Sequence, residues 1–167
     1  VLTHKTLRCC SASKEVVVEV HDRILALRDK GEQIPRDTAM RLYSLTSAPE
    51  FHSTVSPSKR ALIAYYSEKY EKAVELWDKE RETPDEYYIA SVRQNEKDLP
   101  LVAKFCMQMQ SKDRAKDTLY KTWKKHSEDD RSVLTTLEPT VASFFFEAIL
   151  EWGSLEDSET WLSSIEN

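Results

Sequence analysis

The chain has 167 residues, of which 40% are hydrophobic, 32% are charged and only two are glycine. Because β proteins and nucleotide-binding α/β proteins rely on glycine in tight turns and phosphate loops, this scarcity disfavours both classes. The net charge of −5 disfavours a strongly electrostatic nucleic-acid binder, although a local basic face is compatible with an acidic total.

The first 14 residues are basic and contain no acidic residue. We predict a flexible N-terminal segment over residues 1–14, followed by a single domain over residues 15–167. The same composition is compatible with the tail of an organelle presequence. The chain has three cysteines, of which Cys9 and Cys10 are adjacent. They do not form a secreted-type disulfide framework, so an intracellular protein is expected, with the cytoplasm and the mitochondrial matrix both open.

From residue 15 onward, apolar residues recur every three or four positions, which is the spacing of one face of a helix. The first predicted helix covers Glu15–Lys30 and ends at Gly31, because helices commonly end at a residue with left-handed backbone conformation, usually glycine. The second begins around Pro35 and is closed by Pro49. Residues 50–57 are predicted to form a polar connection.

The stretch from Ser56 to Trp77 again shows helical spacing. Periodicity alone leaves open whether it forms one helix or two helices with a break near Ser67–Lys69. We predict roughly eight to ten helices in all, with apolar stripes that pack into a core. The later ones begin near Pro84, Pro100 and Ser111, include a short piece around Leu134 and Leu137, and end with a buried helix over Val141–Trp152 and an amphipathic one through Leu155, Trp161, Leu162 and Ile165.

An internal repeat with an offset of 34 residues is visible in the first half of the chain. The pattern Ala39-x-x-Leu42-Tyr43 recurs as Ala73-x-x-Leu76-Trp77. A small residue lets two helices approach closely, and an aromatic residue four positions later fills the groove to the next hairpin. The pattern predicts an all-α fold of antiparallel helical hairpins, stacked as a short α-solenoid or compact helical array. A non-repetitive helical bundle is the alternative.

The stretch from Ala64 to Trp77 resembles a tetratricopeptide repeat. In that family the second helix carries an aromatic residue, an alanine and a large residue at the positions that Tyr70, Ala73 and Trp77 occupy here. The match is degenerate, since Glu80 stands where a small residue is usual.

The unit before it resembles a pentatricopeptide repeat at least as closely, from Ile24 through Ala39 to Tyr43. After Leu99 the small–large spacing continues at irregular offsets, with Ala103 and Met107, then Ala142 and Phe146.

The sequence contains no recognisable signature of catalysis or of metal binding. Cys106 lies on an apolar stripe and is expected to be a buried, inert thiol. We therefore predict no enzymatic activity and no cofactor, and we assign no catalytic, cofactor-binding or metal-binding residue. The four histidines, expected to be structural or solvated, are His4, His21, His52 and His126.

One segment is locally basic and carries two aromatic residues, Tyr120 and Trp123. Basic side chains can contact a nucleic-acid backbone, and aromatic rings beside them can stack on a base. The alternative is a solvated outer face beside a core tryptophan. The basic residues concerned are Lys112, Arg114, Lys116, Lys121, Lys124 and Lys125.

These observations favour a non-catalytic protein-interaction scaffold of tetratricopeptide-like repeats, acting within a larger assembly. The resemblance implies a peptide or helix as partner, and the acidic total would suit a partner of basic character. The alternative is a pentatricopeptide-like organelle protein that binds RNA or a ribonucleoprotein. No apolar run approaches the ~20 residues of a membrane span, so membrane insertion is not expected.

Overall fold

The computed structural model describes residues 14–51, 53–80, 83–126 and 137–166, and within these ranges the chain forms α-helices, one short 3-10 helix at Pro49–Phe51 and no strand. The prediction of an all-α fold is confirmed. The helices are α1 (Lys14–Asp29), α2 (Arg36–Thr46), α3 (Pro57–Tyr66), α4 (Tyr70–Trp77), α5 (Asp85–Gln94), α6 (Leu99–Gln108), α7 (Lys112–Lys125), α8 (Pro139–Trp152) and α9 (Leu155–Glu166).

Helix α1 ends where its glycine predicts. Gly31 has a φ of +75°, a left-handed conformation that costs glycine little. Its N–H donates to the Arg28 carbonyl at 2.9 Å, and the Glu32 N–H donates to the Leu27 carbonyl at 3.0 Å. These two bonds form a Schellman motif, which satisfies carbonyls that the helix leaves without partners.

The stretch from Ser56 to Trp77 forms two helices rather than one. Ser56 caps α3, and its side chain accepts the Lys59 N–H at 3.4 Å. The chain then turns at Glu68, which has a φ of +61°, and the Lys69 N–H donates to the Ala64 carbonyl at 2.8 Å. The left-handed residue reverses the chain, so that α3 and α4 pack as a hairpin.

The chain divides into two compact units at Thr83 and Pro84. In the first unit α2 packs on α3 and α3 on α4; in the second, α6 packs on both α5 and α7, and α8 on α7 and α9. Packing between helices that follow one another in sequence confirms the helical-array prediction. The single domain over 15–167 stays a prediction, and so does the flexible segment, since residues 1–13 lie outside the described ranges and Lys14 opens α1.

The connection between α2 and α3 is less polar than predicted. Phe51 and Val55 are buried, and both belong to the hydrophobic core of the first unit. Periodicity missed them because each is an isolated apolar residue in an irregular segment. Of the predicted short helix around Leu134 and Leu137, Leu134 lies outside the described ranges, and Leu137, which is described, is not helical.

The residues of the predicted repeat all lie in or beside a core. Ala39, Leu42, Ala73, Leu76 and Trp77 are buried. Fully buried alanines let α2 and α4 pack closely against their neighbours, as the hairpin argument requires. Membership of the tetratricopeptide or pentatricopeptide family stays a prediction.

Candidate interaction surface

The basic segment of the sequence forms helix α7, and every one of its six basic side chains has a partner. Lys112 donates to the Met107 carbonyl at 2.8 Å and the Met109 carbonyl at 3.0 Å, at the end of α6. The other five each lie within ion-pair distance of a carboxylate. Their partners are Glu86 for Arg114, Glu151 for Lys116, Asp117 for Lys121, Asp157 for Lys124 and Glu96 for Lys125.

The two aromatic residues of α7 are also engaged inside the second unit. Trp123 is fully buried, and the Tyr120 hydroxyl donates to Asp157 Oδ2 at 2.7 Å. A ring that is to stack a base needs an open face. The arrangement therefore matches the second interpretation of this segment, a solvated basic face beside a core tryptophan.

Asp157 on α9 accepts hydrogen bonds from two side chains of α7. It accepts from Tyr120 and from Lys124 Nζ, and from the Ser154 N–H at 3.0 Å, while its own N–H donates to Ser154 Oγ at 3.2 Å. The Ser154–Asp157 pair is a capping box that starts α9. Burial alone would raise the pKa of Asp157, but these hydrogen bonds together outweigh it and hold the pKa well below its usual range.

Gly153, between α8 and α9, lets Tyr120 approach the backbone. A Cβ on Gly153 would lie 2.8 Å from the Ile149 carbonyl oxygen, 3.0 Å from Tyr120 Cε2 and 3.1 Å from Asp157 Oδ2. The first of these is a backbone atom that cannot move aside cheaply. The turn thus needs glycine for space, since its φ of −100° is open to any residue.

Substitution of Gly153 by alanine is expected to destabilise the second unit by about 1–3 kcal/mol, because an extra methyl must be forced into a packed site. Hydrogen exchange of α9, compared with the parent chain, measures the effect. The control is Gly31→Ala, where nothing lies within 4 Å of the added Cβ and only the positive φ opposes it. Parent-like exchange of α9 in Gly153→Ala would contradict the steric account.

The last hairpin exposes most of the large apolar side chains that the described part of the chain presents to solvent. The prediction that Trp152 is buried is wrong, since it is 45% exposed; Leu150 is 55% and Leu155 is 76% exposed. On α9 the buried side chains are Asp157, Ser158 and Trp161. The others exposed in this hairpin are Leu162 and Ile165; among the remaining residues that the structure describes, Met40 alone belongs to the set.

The C-terminal segment that contains this hairpin is acidic. Residues 132–167 contain seven acidic residues and no lysine or arginine. On α8, Glu147 and Glu151 pair with Lys116. On α9, Glu156 and Glu159 are exposed, and neither forms an ion pair with any residue that the structure describes. On α9, two exposed carboxylates, Glu156 and Glu159, therefore remain beside the exposed Leu155 and Leu162 without an opposite charge among the described residues.

Two other features of the described residues offer weaker candidates. A shallow groove of about 590 Å³ lies beside α1, but its lining carries both signs of charge, including Glu19 and Arg23. The Cys106 thiol is buried, which raises its pKa to about 12. A thiol with so high a pKa is a poor nucleophile.

Within the described ranges, no cluster of histidine, cysteine and carboxylate side chains is arranged to hold a metal ion. None of the described helices is long and apolar enough to cross a membrane. Comparisons of the chain with protein-family models, curated proteins and solved structures gave no match.

Proposed function

We propose that this chain is a non-catalytic scaffold of tetratricopeptide-like helical hairpins that binds another protein within a larger assembly. The observation that carries the proposal is the concentration of exposed large apolar side chains on the α8–α9 hairpin. Folded proteins rarely leave contiguous apolar surface in water, and where they do it commonly marks an interaction site.

The charge pairing on α7 supports a protein partner over RNA. Phosphate binding needs cations that are free to replace counterions, whereas the basic side chains of α7 already face carboxylates or carbonyls of their own unit. Exposed pairs contribute little stability, typically ~0–1 kcal/mol. They nevertheless lower the positive potential that would attract a nucleic acid.

The test is affinity capture of the tagged full chain from cell extract, with and without ribonuclease, with both proteins and RNA identified. We expect a defined protein set that survives digestion. The charge-reversal variant Lys121→Glu/Lys125→Glu, which leaves the buried Asp157 contacts intact, is expected to capture the same set. Enrichment of specific transcripts, lost in this variant together with the proteins, would contradict the scaffold and favour the RNA alternative.

A further inference from the structure

We infer that α9 docks a basic amphipathic helix of a partner protein along its exposed apolar stripe. The inference rests on the proposed scaffold function and adds the surface and the chemistry of the partner. It is carried by the spacing of the exposed side chains on α9 and by the charge beside them.

Two exposed apolar residues of α9 are aligned along the helix. Leu155 and Leu162 are seven residues apart, which at about 100° per residue places them within about 20° of each other, whereas Ile165 lies at nearly the same angle as the buried Ser158. All three are exposed, while Trp161 is buried and its ring stacks on that of Phe146 at 5.1 Å. Leu155 and Leu162 thus form an exposed apolar stripe beside the side of α9 that packs on its own unit.

A stripe with this spacing suits a second helix. An amphipathic helix places its anchors at positions i, i+3, i+4 and i+7, and these pack against the same periodicity on the facing helix. Leu150 and Trp152, at the end of α8 and just before α9 in the chain, are also exposed. Tryptophan is enriched among residues that dominate interface energies.

The negative charge beside the stripe favours a partner of positive charge. Glu159 lies next to Leu155 and Leu162 on the helix surface, four and three residues away, and Glu156 lies further round on the same flank. Lysine and arginine can lay their aliphatic stems on leucine and place the charged group at these carboxylates. A docked helix that is apolar on one face and basic beside it satisfies both features.

The same charge disfavours the other occupants of an apolar face. Two copies of this hairpin would bring together two surfaces that carry acidic residues and no lysine or arginine, and juxtaposed like charges are costly. An anionic membrane surface or a nucleic acid would be repelled for the same reason. The expected occupant is therefore a basic protein helix.

The test uses the full chain and two synthetic helical peptides of about 18 residues, roughly five turns. Both carry leucine on one face; one is flanked by lysine and arginine, the other by glutamate at the same positions. Binding is followed by anisotropy of the labelled peptide and by acrylamide quenching of Trp152, with Trp152→Phe to assign the signal. We expect the basic peptide to bind at least ~10-fold more tightly than the acidic one. Its affinity should fall as the salt concentration is raised.

Two variants of α9 separate the apolar and the charged contributions. Leu155→Ser/Leu162→Ser should lower the affinity for the basic peptide by roughly 10- to 100-fold. The control Met40→Ser, which changes an exposed apolar residue of the first unit, should leave that affinity unchanged. Glu156→Lys/Glu159→Lys should reverse the preference in favour of the acidic peptide. Because these side chains are exposed, both variants should keep the helical content of the parent, and Glu156→Lys/Glu159→Lys should lower the melting temperature slightly, since it removes negative charge from the start of α9.

Equal binding of both peptides, or basic-peptide binding unchanged in both α9 variants, would overturn the inference. Absence of binding would overturn it as well. If ribonuclease-resistant protein capture is still observed in that case, the scaffold proposal survives and only the docking site on α9 is wrong. If that capture fails too, both are wrong.

Discussion

Replacement of Trp123 by alanine is expected to destabilise the second unit by about 3–5 kcal/mol, the cost of removing a large aromatic side chain from a packed core. Trp123 is among the largest fully buried side chains of the described chain. It lies on the buried face of α7 with Ala115 and Leu119, and the ring of Tyr120 is 6.2 Å away, centroid to centroid.

Urea unfolding followed by circular dichroism measures this loss, and hydrogen exchange of α7 and α8 assigns it to the second unit. The matched control is Lys121→Ala on the exposed face of the same helix, expected to stay within about 0.5 kcal/mol of the parent. A stable, folded Trp123→Ala that has lost RNA binding would identify a stacking residue instead and contradict the structural role.

The first unit is expected to lose about 3 kcal/mol of stability between neutral pH and pH 4 through a single buried histidine, His21. Its side chain is fully buried, and neither ring nitrogen has a hydrogen-bond partner among the described residues. Burial, assisted by the nearby Lys59 ammonium and opposed by Asp22, lowers the pKa of His21 from 6.5 to about 4.

The free energy of unfolding falls in acid because the unfolded chain takes up a proton before the folded chain does. Between pH 6.5 and 4 the unfolded chain binds a proton at this histidine that the folded chain does not, so the free energy of unfolding falls as the pH falls through this window. Above pH 6.5 both states are neutral and the effect disappears. One pKa unit corresponds to ~1.4 kcal/mol, which sets the expected size.

Hydrogen exchange of α1 at a series of pH values, in the parent and in His21→Leu, isolates this contribution. The carboxylates that also titrate in acid are present in both proteins, so the difference between them reports His21. We expect the parent to lose protection of α1 relative to the variant as the pH falls from 6.5 to 4. Parallel pH profiles for the two proteins would show that His21 is not buried as a neutral ring.

The sequence predicted most helix boundaries because they depend on local chemistry. Gly31 ends α1 through a backbone conformation that other residues adopt at a cost, and Ser111 starts α7 by accepting the Arg114 N–H at 3.4 Å. The break at Glu68 lies within Ser67–Lys69, where the sequence allows one, but periodicity could not decide between one helix and two. Glutamate does not favour a positive φ, and the turn there depends on how α3 and α4 pack against each other.

The sequence predicts the helix that carries the candidate surface, but it does not predict which side of that helix is exposed. The apolar residues of α9 were recognised as helical, but the side that faces the core depends on contacts far along the chain. Asp157 is buried because Tyr120 and Lys124 reach it from α7, and this rotates Leu155 outward to 76% exposure. The one-sided charge after residue 131 is a signal in the sequence that could have directed attention to this hairpin.

Protein binding by the last hairpin is tested most directly by quantitative protein capture from ribonuclease-treated extract with three matched chains. These are the parent, Leu155→Ser/Leu162→Ser and Met40→Ser, each first shown to be folded by circular dichroism. If the last hairpin binds a protein partner, a defined set of proteins will be depleted with the α9 variant and retained with the parent and the Met40 variant. Recovery of the same proteins at the same level by all three chains would show that the exposed leucines of α9 do not bind the partner.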